Sequence, residues 1–196
     1  MALVAAILVL GATHAAAGTY TLRPSGYGPN SYASWKAQQG EPDSTGSDNQ
    51  ALYLQKMVPT ATNAAGVAII QGFEGQPLSS LSSLAWDHRV DGHCGAGAPR
   101  WVIATQDASG TRHFVFLGCA ASVHSPTGDP NWIRDSNDQT AISAAAAVAG
   151  ASSSDTIIGL GIVFDEGNDQ GQGYVYLDNI TVNNKVWTSA NDNGNA

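Results

Sequence analysis

Residues Thr156–Trp187 read TIIGLGIVFDEGNDQGQGYVYLDNITVNNKVW, and their pattern decides the fold. Two apolar runs, Ile157–Phe164 and Tyr174–Val182, are rich in β-branched and aromatic residues, and an acidic, Gly-rich loop separates them. That is how a strand-loop-strand unit is written, here expected at the centre of a sheet. Inside the second run Val175 and Leu177 occupy odd positions, whereas Ile180 and Val182 occupy even ones, so the pleat must slip near Asp178. The slip predicts a bulge carrying a carboxylate.

The rest of the chain extends the same pattern. Short alternating runs recur at Gly18–Arg23, Ala51–Lys56, Ala65–Phe73, Leu84–Asp91, Arg100–Thr105 and Arg112–Leu117, with turn residues between them. Leu84–Asp91 places Leu84, Trp86, His88 and Val90 on one face and Asp87, Arg89 and Asp91 on the other. Pro24–Asn49 and Ser122–Asp138 are dominated by Gly, Pro, Ser, Asn and Asp and read as long loops. One helix is expected, Gln139–Gly150, with alanine dominant, Asp138 placed to cap its start and Gly150 placed to end it. About eight or nine short strands make an all-β chain, a two-sheet antiparallel β-sandwich of jelly-roll type with one short helix.

Cys94 and Cys119 are the two cysteines of the chain. Folding the hairpin Arg100–Leu117 about Asp107–Gly110 sets Cys119 opposite roughly residue 98, and Gly95–Ala98 lets Cys94 turn back to meet it. A disulfide is expected, worth about 3 kcal/mol for a loop of this length, against the alternative of two free buried thiols or metal ligands.

The charge balance narrows the function classes. A net charge of −8 with only 8 Lys plus Arg, all scattered, leaves no electrostatic footprint for nucleic acid or an anionic membrane. Ala2–Leu10 is an apolar segment followed by small residues up to Gly18, so residues 1–17 read as a signal peptide, 18–188 as the sandwich domain and 189–196 as a disordered tail or the start of a linker. The apolar segment is about half the ~20 residues a spanning helix needs. The expectation is a secreted monomer in an oxidising compartment, free of the membrane once the signal is cleaved.

Asp165–Gly171 together with Asp178 offers the oxygen-rich, Gly-permissive set that Ca²⁺ prefers, with Asp165, Asp169 and Asp178 as the carboxylates, against the plainer reading of a solvated loop. Asp87, His88, Asp91, His93 and Cys94 match no zinc spacing. Asp87 and Asp91 are roughly 13 Å apart along one strand face, too far for a retaining glycosidase pair. Loop aromatics are the better candidates: Tyr27, Tyr32, Trp35 and Trp132 can stack on apolar sugar faces, or can instead cover the end of the core.

Leu84–Val90, Gly95–Trp101, Gly161–Gly167 and Tyr176–Val182 resemble uncharacterised secreted proteins of actinobacterial type. The closing Tyr-Leu-Asp-Asn-Ile-Thr-Val also resembles the last strand of jelly-roll, galactose-binding-like carbohydrate-binding modules. That resemblance implies carbohydrate binding and a role for Asp178 in a structural Ca²⁺ site. The expected function is a secreted, non-catalytic binding module for extracellular carbohydrate or cell-envelope polymer. The alternatives are a polysaccharide-active lyase or hydrolase of the same architecture, and a structural or adhesive surface protein.

Overall fold

The two runs of the central stretch become neighbours across the sandwich rather than within one sheet. In the computed structural model, which describes residues 19–42 and 49–193, five strands form one sheet in the order β1 (Thr21–Tyr27), β4 (Ala65–Gln71), β10 (Thr156–Phe164), β6 (Arg100–Gln106) and β7 (Arg112–Gly118). The second sheet runs β2 (Ser31–Ala37), β3 (Gln50–Lys56), β11 (Tyr174–Val182), β5 (Ser83–Arg89), β9 (Trp132–Asp138) and β8 (Val123–Pro126), and β12 (Lys185–Trp187) pairs with the far half of β11. All pairings are antiparallel among the described strands, so β10 and β11 are each central, one per sheet, and the acidic loop between them crosses the roughly 10 Å gap of a two-sheet sandwich. Successive strands repeatedly change sheet, which is the jelly-roll habit. The expected signal peptide, residues 1–17, lies outside the described residues.

Alternation fills the space between the sheets. Leu52, Leu54, Leu84, Trp86, Val175 and Leu177 from the larger sheet meet Leu22, Ile70, Trp101, Ile103, Leu160, Ile162 and Phe164 from the smaller, all fully or nearly fully buried. Trp86 and Trp101 stack at the centre with ring centroids 4.8 Å apart. The smaller sheet is also sealed outside, where Ala65, Val67, Val102 and Val163 form a second buried cluster under Tyr27 and Ile69.

Several expectations hold residue for residue. The β6–β7 hairpin pairs Arg100 with Gly118 and Gln106 with Arg112, and the Cys94–Cys119 disulfide is formed. The helix α1 (Gln139–Val148) is capped by Asp138, whose side chain accepts from the Ala141 amide, and Gly150 ends it at φ 74°. The β11–β5 register shifts between Asp178 and Thr181, at the bulge the apolar phase implied. Other expectations change. Pro24–Asn49 is not one loop: its first half completes β1 and forms β2, and Ser122–Asp138 similarly contains β8 and β9. Over Ser189–Asn193 the tail is a turn in which Ser189 and Asp192 cap each other and Asn193 accepts from the Leu22 amide.

The open end of the sandwich is tied by a buried amine. Lys56 ends β3 with only 1% of its surface exposed, and its Nζ donates to the carbonyls of Thr60, Thr62 and Asp165, each at 2.8 Å. An ammonium has three donors, and here all three are used. The neighbouring loop docks on Thr60: Gly167 N donates to its hydroxyl, and Asp169 accepts from its amide and hydroxyl. Gly167 is required because a Cβ there would overlap the Val58 carbonyl.

Replacing Lys56 with Met orphans three acceptors at a buried point. Urea denaturation is expected to show a loss of about 3 kcal/mol or more, since each unsatisfied buried group costs roughly 1–3 kcal/mol.

Candidate functional site

The outer face of the larger sheet carries what its core face does not. Because Leu52, Leu54, Val175 and Leu177 point inward, Tyr53, Tyr174 and Tyr176 must point outward, and Tyr32 joins them from β2. Tyr53 sits opposite Tyr176 with centroids 4.7 Å apart, and its ring is 5.9 Å from both Tyr32 and Tyr174. The four rings form one patch. Basic and amide groups edge it: Lys36 Nζ lies 5.3 Å from the Tyr32 ring centre, and the Arg89 guanidinium stacks 3.7 Å over Tyr176. Arg89 is held by both oxygens of Asp91 and donates to Gln39 Oε1 at 2.9 Å. Burial first, then the surrounding Tyr176, Tyr32 and Tyr174, push the Tyr53 hydroxyl up to about 12, so it stays a neutral donor and hydrogen-bonds Gln55 Oε1 at 2.9 Å.

Beside this patch the bulge builds a polar groove. At Asn179 the backbone takes φ 45°, a left-handed turn that asparagine tolerates better than most residues. Asp178 Oδ1 accepts from the Asn179 amide at 2.7 Å, while Oδ2 accepts from the Glu41 amide at 2.8 Å and so pins the Gln39–Glu41 segment over the sheet. Asn179 Nδ2 then donates to Asp87 Oδ2 (2.7 Å) and Glu41 Oε2 (3.2 Å), holding two carboxylates beside one amide. Arg134 donates to Asp87 Oδ1, the Asn179 carbonyl and Thr181 Oγ1. A cavity of about 500 Å³ opens among Glu41, Asp87, Thr127, Arg134, Asn179 and Thr181. Asp87, on the charged outer face of β5, is buried under this network with 4% of its surface exposed.

Two of these acids hold protons more tightly than usual. Burial above all, with Asp87 and Glu41 nearby, pushes Asp178 up to about 7 against the pull of its two backbone donors. Glu41 is raised mainly by burial, with Asp87 and Asp129 adding to it and the Thr127 hydroxyl opposing.

The aromatics expected to bind ligand are divided. Tyr32, 39% exposed, belongs to the tyrosine patch. Trp35 points inward from β2 and packs on the core, and Tyr27 lies on the opposite side of the molecule, against the cluster that seals the smaller sheet. Trp132 is 3% exposed and forms one wall of a separate cavity of about 440 Å³ with Pro126, Pro130 and His124. Tyr53, Tyr174 and Tyr176 join Tyr32 in the patch without being among the expected aromatics, and their phase against the neighbouring leucines and valines is what turns them outward.

The three carboxylates expected to bind Ca²⁺ do not converge. Asp165 gives both oxygens to Arg100, Asp169 Oδ1 is taken by Thr60, and Asp178 lies four residues along β11 from Tyr174 with both oxygens on backbone amides. Glu166 of the same loop accepts from His93 Nε2 at 2.7 Å and from the Ala98 amide. The acidic loop is therefore occupied by protein donors, and Lys56 supplies the cation at its base. These residues do not fit a common calcium site.

No protein-family model matches the chain, and no curated protein does. Among solved structures, one similar in shape is the Family 11 Carbohydrate-Binding Module of cellulosomal cellulase Lic26A-Cel5E of Clostridium thermocellum, at 10% identity over 89% of this chain and 92% of that one, with a TM-score of 0.46.

Two measurements follow from this geometry. Because Asp178 binds its proton more tightly folded than unfolded, its contribution to stability is greatest below the ordinary carboxylate range and is lost as pH rises through about 7. Melting temperature against pH is expected to fall over that window, and the slope to flatten in Asp178→Asn. Chelator is expected to leave the melting temperature unchanged, since the expected calcium carboxylates are satisfied by Arg100, Thr60 and backbone amides.

Proposed function

We propose that the outer face of the larger sheet binds an extracellular polysaccharide chain without cleaving it, in a protein exported as a monomer. The observation that carries this reading is the patch of Tyr32, Tyr53, Tyr174 and Tyr176, with rings 4.7–5.9 Å from their neighbours, running beside a groove of paired polar side chains. Sugar rings present apolar C–H faces and hydroxyl edges at once. Aromatic faces meet the first, and fixed side chains such as Arg89, Asp91, Gln39, Asn179 and Arg134 meet the second. The apolar leader and the disulfide support export.

Affinity electrophoresis against a panel of soluble polysaccharides, with an array of cell-envelope glycans, tests this. Binding is expected for the wild type, with Tyr32→Ala and Tyr174→Ala each weakening it about tenfold, or about 1.4 kcal/mol. Retention unaltered by both substitutions removes the reading.

The groove supports a second reading, cleavage of the bound chain. Asn179 holds Glu41 and Asp87 together, and their environments differ: Glu41 is pushed toward its protonated form by burial, whereas Asp87 is paired with Arg134. Two carboxyl groups facing one groove are the side chains glycoside hydrolysis uses. New reducing ends from a polysaccharide panel, lost in both Glu41→Gln and Asp87→Asn, establish it; their absence in the wild type leaves binding alone.

A further inference from the structure

Behind the outer face, on the core side of β5 and β9, lies a cluster that the binding reading does not use. The Asp135 side chain is fully buried. Its Oδ2 accepts from Trp86 Nε1 at 2.8 Å and from His88 Nδ1 at 2.5 Å, and its Oδ1 accepts from His124 Nδ1 at 2.6 Å. Cys119 Sγ sits 3.3 Å from the same Oδ2 and 3.9 Å from His88 Nδ1. With Cys94 Sγ, these donor atoms of His88, Cys119 and Asp135 all lie within 4.8 Å of one another.

While the sulfurs are bonded to each other, neither can act as a thiolate ligand. We propose that reduction of Cys94–Cys119 turns this cluster into a zinc site, with two thiolates, the His88 imidazole and the Asp135 carboxylate as ligands. The donor set is mixed sulfur, nitrogen and oxygen, which suits tetrahedral Zn²⁺. With Zn–S near 2.3 Å and Zn–N or Zn–O near 2.0–2.2 Å, the edges of such a tetrahedron are roughly 3.3–3.8 Å. The Cys119–Asp135 and Cys119–His88 separations are already close to that range. The sulfur pair must part, which loss of the bond requires anyway, and the His88–Asp135 contact must open to admit the ion. Outer partners are in place: His124 holds Asp135 Oδ1 and Trp86 holds Oδ2, as such partners do for metal ligands. Cys94 is only half-buried and is followed by Gly95–Ala98, so an ion can enter from that side.

Both half-steps balance. A phosphine and water convert the disulfide to two thiols and a phosphine oxide. Zn²⁺ then displaces both thiol protons to solvent, and His88 binds the ion through Nδ1, the ring keeping one proton on Nε2 and releasing any other to solvent. Without the ion, two thiolates beside a buried carboxylate are strongly disfavoured; with it, their charge is offset. The consequence is that one loop, Cys94 to Cys119 with a separation of 25, has two interchangeable staples: a covalent one in oxidising surroundings and a metal one in reducing surroundings.

Cobalt titration of the phosphine-reduced protein under inert gas tests this, because tetrahedral cobalt-thiolate absorbs intensely in the visible. One equivalent is expected to bind with near-ultraviolet circular dichroism retained, Zn²⁺ to bleach the band and raise the melting temperature, and the oxidised protein to bind none. His88→Gln, with its fold checked in the oxidised form, is expected to abolish the tetrahedral spectrum, and zinc-edge absorption of the wild type to give two sulfur and two nitrogen or oxygen neighbours. An octahedral spectrum, no uptake, uptake with the tertiary signal lost, equal uptake by the oxidised protein, or a spectrum unmoved by His88→Gln overturns the proposal.

Discussion

The three hydrogen bonds from the Lys56 ammonium set the geometry of one whole end of the molecule. They join the end of β3, the turn that follows it, and the first residue after β10. Burying a lysine is costly, and its pKa is lowered chiefly by that burial, with Asp165 and Asp169 acting to keep the charge. The cost is accepted because a point charge with three donors does at this place what a bound cation does in other loops: it gathers carbonyls that no strand can satisfy. Once the loop after β10 is fixed, β11 enters the opposite sheet at Tyr174, paired with Gln55, and the tyrosine patch has its register.

The bulge at Asp178–Asn179 is the second constraint, and it depends on the first. Before it, β11 pairs with β3; after it, β12 takes over that edge while β5 pairs across both halves. The extra residue restores inward phase to Ile180 and Val182 and turns a carboxylate and an amide outward at one point. That point is where Glu41, Asp87 and Arg134 collect. A buried acid raised to about 7 lowers stability at neutral pH, and such destabilised groups gather at functional sites more than elsewhere.

What was legible in the sequence was local, and what was not depended on partners distant in the chain. The β6–β7 hairpin, its disulfide, the capped helix and the bulge were each written in a few neighbouring residues. Pro24–Asn49 misled because Gly, Pro, Ser and Asn there signal turns, yet β1 and β2 are edge strands, where Pro24 leaves no ladder bond unmade that a central strand would need. Trp35 and Trp132 looked like loop aromatics for the same reason, but Trp132 is buried and Trp35 is half-buried against the core. The tyrosines of the patch were legible from phase alone, whereas the roles of Lys56 and of the acidic loop required knowing that Thr60 and Arg100 would arrive beside them.

The two outer faces of the sandwich explain why the candidate site has one location. On the smaller sheet, Val67, Val102 and Val163 are buried among their own neighbours, so the centre of that face is aliphatic, with Phe116 exposed on its β7 edge beside Arg100. On the larger sheet the outward positions are tyrosine, arginine, aspartate and asparagine, each held by a named partner, with Tyr32, Tyr174, Tyr176, Arg89 and Asn179 partly open to solvent and Asp87 and Asp178 buried beneath them. Rings that keep only part of their surface buried are poor investments for folding alone, because a leucine in the same place would pack as well without a hydroxyl to satisfy. Tyr32 on β2 and Tyr174 and Tyr176 on β11 keep part of their surface open beside an arginine-carboxylate network, with Tyr53 buried among them, and this is where the larger sheet differs from the smaller one.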